Sequence, residues 1–146
     1  MQSEDTVHVV ECKQTFNADW QQGKGLGACM LEMYDQSLWT DVTFHSKDQP
    51  EAATIKAHKI VLAARSPVFR AMFFGPCADR RDDVELEHVT RETFDLFLRY
   101  IYSESLDLSA ETAFDILRIA HFYQVSSLVQ YCADFLMNVI TTENAM

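Results

Sequence analysis

The chain has 146 residues, 48% of them hydrophobic, and a formal net charge of −10 from 22 acidic and 12 basic residues. That length and apolar content suit one compact domain with its own core and exclude a disordered tail. A surface this acidic repels phosphate backbones, so nucleic acid is excluded as a partner class, and no apolar run reaches the roughly 18 residues of a membrane span. Cys12, Cys29, Cys77 and Cys132 lie far apart without C-x-x-C spacing. They read as reduced thiols of an intracellular protein. The first residues are polar and acidic, with no apolar stretch of a secretion signal.

The predicted elements follow in chain order. Residues 1–25 form an N-terminal extension, in which Val7–Val10 suits a short strand and Phe16–Trp20 a helical turn before the Gly23, Gly25, Gly27 cluster. A helix follows, with Met30, Met33 and Tyr34 on one side and Glu32 and Gln36 elsewhere. Asp41 to Ser46 alternates through Val42 and Phe44, the period of a half-buried strand. The polar, proline-containing stretch Lys47–Glu51 is a turn, and Thr54 to Ala57 returns as the hairpin partner.

Two short helices are predicted over about 58–64 and 67–73, the second with Ser66 as N-cap and Pro67 at its first position. Gly75-Pro76 stops it, a charged loop follows over 78–83, and Val84-Glu85-Leu86 reads as a third strand. Thr90 and Glu92 open a helix whose Phe94, Phe97, Leu98 and Ile101 recur at helical spacing. After a connector with a short edge strand at Leu106–Leu108, Ser109 caps a helix with the stripe Ala113, Ile116, Leu117 and Ala120. The last helix runs over Val125–Val139, with Leu128, Cys132, Phe135, Leu136 and Val139 inward.

No enzyme motif emerges. Gly23-x-Gly25-x-Gly27 lacks the G-x-G-x-x-G spacing, and there is no Walker sequence or nucleophile elbow. His8, His45, His58, His88 and His121 lack metal-type spacing with one another or with the cysteines, so neither a metal nor a cofactor is expected.

Several segments, in order, resemble one family. Asp41-Val42 is similar to the Asp-Val that opens the core of the BTB (POZ) domain. Ala57-His58-Lys59-Ile60-Val61-Leu62-Ala63-Ala64 resembles its Ala-His-Lys-x-Val-Leu-Ala-Ala segment. Ser66-Pro67-Val68-Phe69 and Ala71-Met72-Phe73 resemble its next helix, Phe94 to Tyr102 its aromatic helix, and Cys132-Ala133-Asp134-Phe135-Leu136 its closing segment. The resemblance covers roughly residues 26–140 and is strongest to the BTB–BACK group, which includes the Kelch-like proteins. It implies an α+β fold, a helical cluster flanked by a small mixed β-sheet. It makes residues 1–25 a candidate swapped strand and residues 141–146 the start of a linker toward a BACK-like region.

The resemblance also implies function: a protein–protein interaction module, without enzymatic activity, in the cytoplasm or nucleus. It implies a homodimer through the helix and turn carrying Cys29, Met30, Met33, Tyr34, Leu38 and Trp39. The residue-level alternative is that this face packs on its own core. Asp41, His58 and Lys59 match a charged pocket near the dimer contact, or else form a structural ion pair. In family members that bind the N-terminal region of cullin-3, an apolar-x-Glu triplet follows the Ala-Met-Phe helix. The matching positions here are Cys77, Ala78 and Asp79, with Phe74, Tyr102 and Tyr123 nearby; Cys is a smaller anchor and Asp a shorter acid. The expected role is a ubiquitin-ligase substrate adaptor whose substrates bind other domains. The alternatives are an oligomerisation module of a transcriptional or scaffold protein, or a solvated loop at 77–79.

Overall fold

The structure is a computed structural model and describes residues 20–78 and 82–144. The predicted Val7–Val10 strand, Cys12 and Asp79 lie outside the described residues. Within them the order is α1 (Leu26–Asp35), β1 (Val42–Ser46), β2 (Ile55–Ala57), α2 (Lys59–Arg65), α3 (Pro67–Phe74), β3 (Asp83–Leu86), α4 (Arg91–Ser103), α5 (Ala110–Phe122) and α6 (Ser126–Asn144).

The sheet has strand order β2-β1-β3. β1 runs antiparallel to β2, with Val42 opposite Ala57 and Phe44 opposite Ile55, and parallel to β3, with Phe44 opposite Val84. The parallel pair needs a crossover, which α2 and α3 supply. Alternation in β1 turns Val42, Phe44 and Ser46 inward, and the buried Ser46 hydroxyl donates to the Val89 carbonyl at 3.1 Å. The loop after β1 is tied to the turn before α4. Asp48 Oδ2 accepts from the His88 N–H at 2.7 Å, and Gln49 Oε1 from the Arg91 N–H at 2.9 Å.

Helix starts follow local chemistry. Ser66 Oγ accepts from the Phe69 N–H at 3.1 Å, and Thr90 Oγ1 from the Thr93 N–H at 3.2 Å. Ser109 and Thr112 form a full reciprocal capping box, Thr112 taking the place of the usual Glu. Gly75 is the C-cap of α3, a position that suits glycine because a Cβ there would sit 2.6 Å from the Ala71 carbonyl oxygen. Two expectations change. Leu106–Leu108 is no strand; among the described residues no strand lies beside it, and the segment is held by the Tyr131 hydroxyl on the Leu106 carbonyl at 2.8 Å. And α6 runs on through Asn144 instead of ending near Val139, because no Gly or Pro interrupts a helix that gains a hydrogen bond with each added residue.

The core is aromatic. Phe44, Phe69, Phe94 and Phe97 are fully enclosed, and the ring of Tyr123 stacks 4.2 Å from Phe69 and 5.5 Å from Phe97. Burial pushes the Tyr123 hydroxyl up to about 12 and the Cys132 thiol up to about 11. Both groups therefore ionise in the unfolded chain before they ionise in the folded one. Their contribution is complete below the ordinary thiol and phenol values of 9.0 and 10.0 and is lost as pH climbs toward the folded values. Denaturation midpoints are expected to fall above about pH 9. Iodoacetamide mapping by mass spectrometry is expected to label the exposed Cys77 in the native protein and Cys132 only after unfolding.

Candidate interaction surface

The first face is built around α1. Leu26 is 79% exposed and Ile60, in the first turn of α2, 71%. They border a shallow apolar groove of about 440 Å³ whose walls include Met30, Val61 and Ile101. One surface thus carries both apolar projections and an apolar recess. The residues expected from sequence divide. Met30 packs partly on the core, Cys29, Met33 and Leu38 are half-buried, and Trp39 is 68% exposed at a left-handed φ of 57°. Tyr34 is corrected: it is 6% exposed, with its ring 4.9 Å from Tyr102 inside the same chain. Leu26 and Ile60 were not among the expected residues. Ile60 lies inside the quoted Ala-His-Lys-Ile segment, and helical spacing from the buried Val61 and Leu62 is the only signal that could have turned it outward.

A polar clamp joins α1 to α4. The Tyr34 hydroxyl donates to Asp95 Oδ1 at 2.5 Å. Arg99 reaches Asp95 Oδ2 through Nε at 3.2 Å and Asp35 Oδ1 through Nη2 at 2.5 Å. Burial, then the hydrogen bond to Asp95, pushes the Tyr34 hydroxyl far above its ordinary value.

Asp41, His58 and Lys59 are adjacent, yet their charges do not converge. Asp41 Oδ1 accepts from the Lys59 backbone N–H at 2.8 Å and so serves as the missing cap of α2. The Lys59 ammonium turns to Asp82 at 2.9 Å and lies 5.6 Å from the Phe73 ring centre. His58 is buried: Nε2 lies 2.6 Å from the Leu38 carbonyl, and Nδ1 lies 2.7 Å from the Tyr102 hydroxyl. A carbonyl only accepts, so Nε2 carries the hydrogen and Nδ1 accepts from Tyr102. The charged pocket expected here is instead a cap, a buried polar link and a surface ion pair.

The second face lies where α3 ends and α5 turns into α6. Phe74 is 59% exposed, and Cys77 and the half-buried Ala78 follow it in the exit loop. Ser66 Oγ donates to the Tyr123 carbonyl at 2.6 Å, which fastens the α5–α6 turn to the start of α3. Tyr102 and Tyr123 are corrected as contact residues. They are 5% and 7% exposed, their rings held in the core: Tyr123 supports this region from beneath, whereas Tyr102 packs on Tyr34 and bonds His58 beneath the first face. Phe122 is exposed in their place, 63%, with its ring edge-on to Tyr123 at 4.8 Å. Phe122 falls off the stripe of Ala113, Ile116 and Ala120, which is the sequence signal that marks it as outward. Among the described residues no three His, Cys, Asp or Glu side chains are grouped to hold a metal ion, and no helix is long and apolar enough to cross a membrane.

Apolar contact area on a rigid helical scaffold, with polar groups engaged in holding that scaffold together, is the equipment of a protein-interaction domain. The chain belongs to the BTB/POZ domain family, whose model matches residues 30–139. It is 35% identical over 113 residues to human BTB/POZ domain-containing protein 6, and 34% identical over 113 residues to both its Xenopus laevis counterpart and human BTB/POZ domain-containing protein 3. Those stretches cover 77% of this chain and 21–22% of the relatives, so the chain spans about a fifth of the length of the curated relatives it matches.

Proposed function

We propose that this domain self-associates through the α1–α2 face and joins the N-terminal region of cullin-3, as the scaffold-binding part of a ubiquitin-ligase substrate adaptor. The observation that carries the cullin reading is the exposure of Phe74 at the end of α3 and of Phe122 at the end of α5; Phe122 lies edge-on to Tyr123, which stacks on Phe69 and through it on Phe73, the chain neighbour of Phe74. Two large apolar side chains exposed on a rigid base are suited to a helical partner's apolar face. Cys77, Ala78 and Asp79 would then supply the small apolar anchor and the acidic contact. Substrates would be chosen by other parts of a longer protein of the BTB–BACK kind, and the N-terminal extension would exchange as a strand between protomers. The unpaired Cys29, Cys77 and Cys132 suit a reducing cytoplasm or nucleus.

Calorimetric titration with the N-terminal half of cullin-3 tests this. Submicromolar binding, more than about 8 kcal/mol, is expected. Phe122→Asp and Asp79→Arg are each expected to abolish it while leaving the circular dichroism melt unchanged. No heat and no co-elution at tens of micromolar would favour the second reading, an oligomerisation module of a transcriptional or scaffold protein. The small anchor at Cys77 is the feature on that side.

A further inference from the structure

We infer that the clamp of Tyr34, Asp35, Asp95 and Arg99 is what positions α1 for self-association, with Arg99 as its key residue. The inference rests on the reading that the α1–α2 face is the self-association surface.

Apart from this clamp, α1 is held by Met30 and Leu31, which pack only partly on the core. Only Tyr34 of its ten residues is buried, and Gly25 offers no side-chain cap. The first turn has no acidic residue and the last turn no basic one. A helix this short is marginal by itself. Asp35 is also misplaced by local rules, because a carboxylate at the C-terminal end faces the negative end of the helix dipole. The compensating cation comes from another helix: Arg99 on α4 binds Asp35 and Asp95 together, and its guanidinium carbon lies 5.6 Å from the Tyr34 ring centre. Both oxygens of Asp95 are engaged, one by Tyr34 and one by Arg99. A local rule broken where a tertiary contact repairs it marks a site at which placement is controlled.

The clamp grips the C-terminal turn of α1. Leu26 and Met30, at the other end and middle, line the apolar groove against α2 and the end of α4. The pitch of α1 against α2 therefore sets the width of that groove, and the clamp fixes the pitch. Arg99 touches neither Leu26 nor Ile60 among the described contacts, so it is a positioning residue.

The test is Arg99→Met, which keeps the apolar stem and removes both ion pairs. Hydrogen exchange and sedimentation velocity on the same preparation are the readouts. The expected result is faster exchange confined to α1 amides and a dimer dissociation constant raised about tenfold, with β1, β3, α5 and α6 protection unchanged. Arg99→Lys, which can satisfy one carboxylate at a time, should restore part of both. Unchanged α1 protection, or an unchanged dissociation constant in a dimeric wild type, overturns the inference and leaves the self-association reading standing. Loss of protection throughout the domain also overturns it, since the role would then be general stability. A wild-type chain that is monomeric at tens of micromolar removes the self-association reading and this inference with it.

Discussion

Ile60→Asp and Leu26→Asp are each expected to convert a dimer into a monomer that is still folded. Both side chains are largely in solvent within one chain, so a carboxylate there costs the isolated fold almost nothing. In a two-fold contact each substitution appears twice, and each places a charge into apolar surface. Leaving a carboxylate unpaired in a dry contact costs at least several kcal/mol, against a gain of about 25 cal/mol per Å² of apolar area covered. Association should weaken by more than about a hundredfold. Sedimentation equilibrium reads the mass, and thermal melting reads the fold. Met33→Asp, on the half-buried side of α1, should also break the dimer but lower stability as well. A folded dimer of unchanged mass in the Ile60 and Leu26 variants would take this face out of the interface.

Phe69→Ala is expected to be the most damaging single change to the fold. Phe69 is fully buried and touches three rings, stacked on Phe73 at 5.6 Å and Tyr123 at 4.2 Å and edge-on to Phe44 at 6.0 Å. Removing a buried phenylalanine forfeits its transfer energy and leaves a cavity, together about 3–5 kcal/mol. Domains of this size are stable by about 5–15 kcal/mol, so the variant should lie near the edge of folding. Urea denaturation should show the midpoint falling by that free energy divided by the slope, with the slope unchanged. The loss should also loosen the α5–α6 turn, because Tyr123 loses its platform. Phe69→Leu, which refills much of the volume, should recover most of the difference. A loss below about 1 kcal/mol for Phe69→Ala would mean that the surrounding rings collapse into the gap.

Much of the fold was legible in the sequence because its signals are local. Alternation at Val42 and Phe44 has the strand period, and Phe94, Phe97, Leu98 and Ile101 have the helix period; all are buried as that spacing requires. Ser66, Thr90 and Ser109 cap helices because a side-chain oxygen two or three residues from an unpaired N–H is enough. The order of the nine elements among the described residues followed from such signals, and so did the family, whose motifs are runs of adjacent residues.

The contact surfaces were less legible. Tyr34, Tyr102 and Tyr123 are amphipathic, and nothing local says whether such a ring faces solvent or core. They are buried because Asp95, His58 and a platform of phenylalanines, supplied by other elements, accept them. Lys59 pairs with Asp82 rather than Asp41 because the chain brings β3 alongside β1. Sequence by itself determined the helices, the three paired strands, their starts and the periodic apolar part of the core, since each depends on spacing along the chain. Only the tertiary structure decided which apolar residues stay outside and which charges meet, because exposure and pairing are relations between segments tens of residues apart.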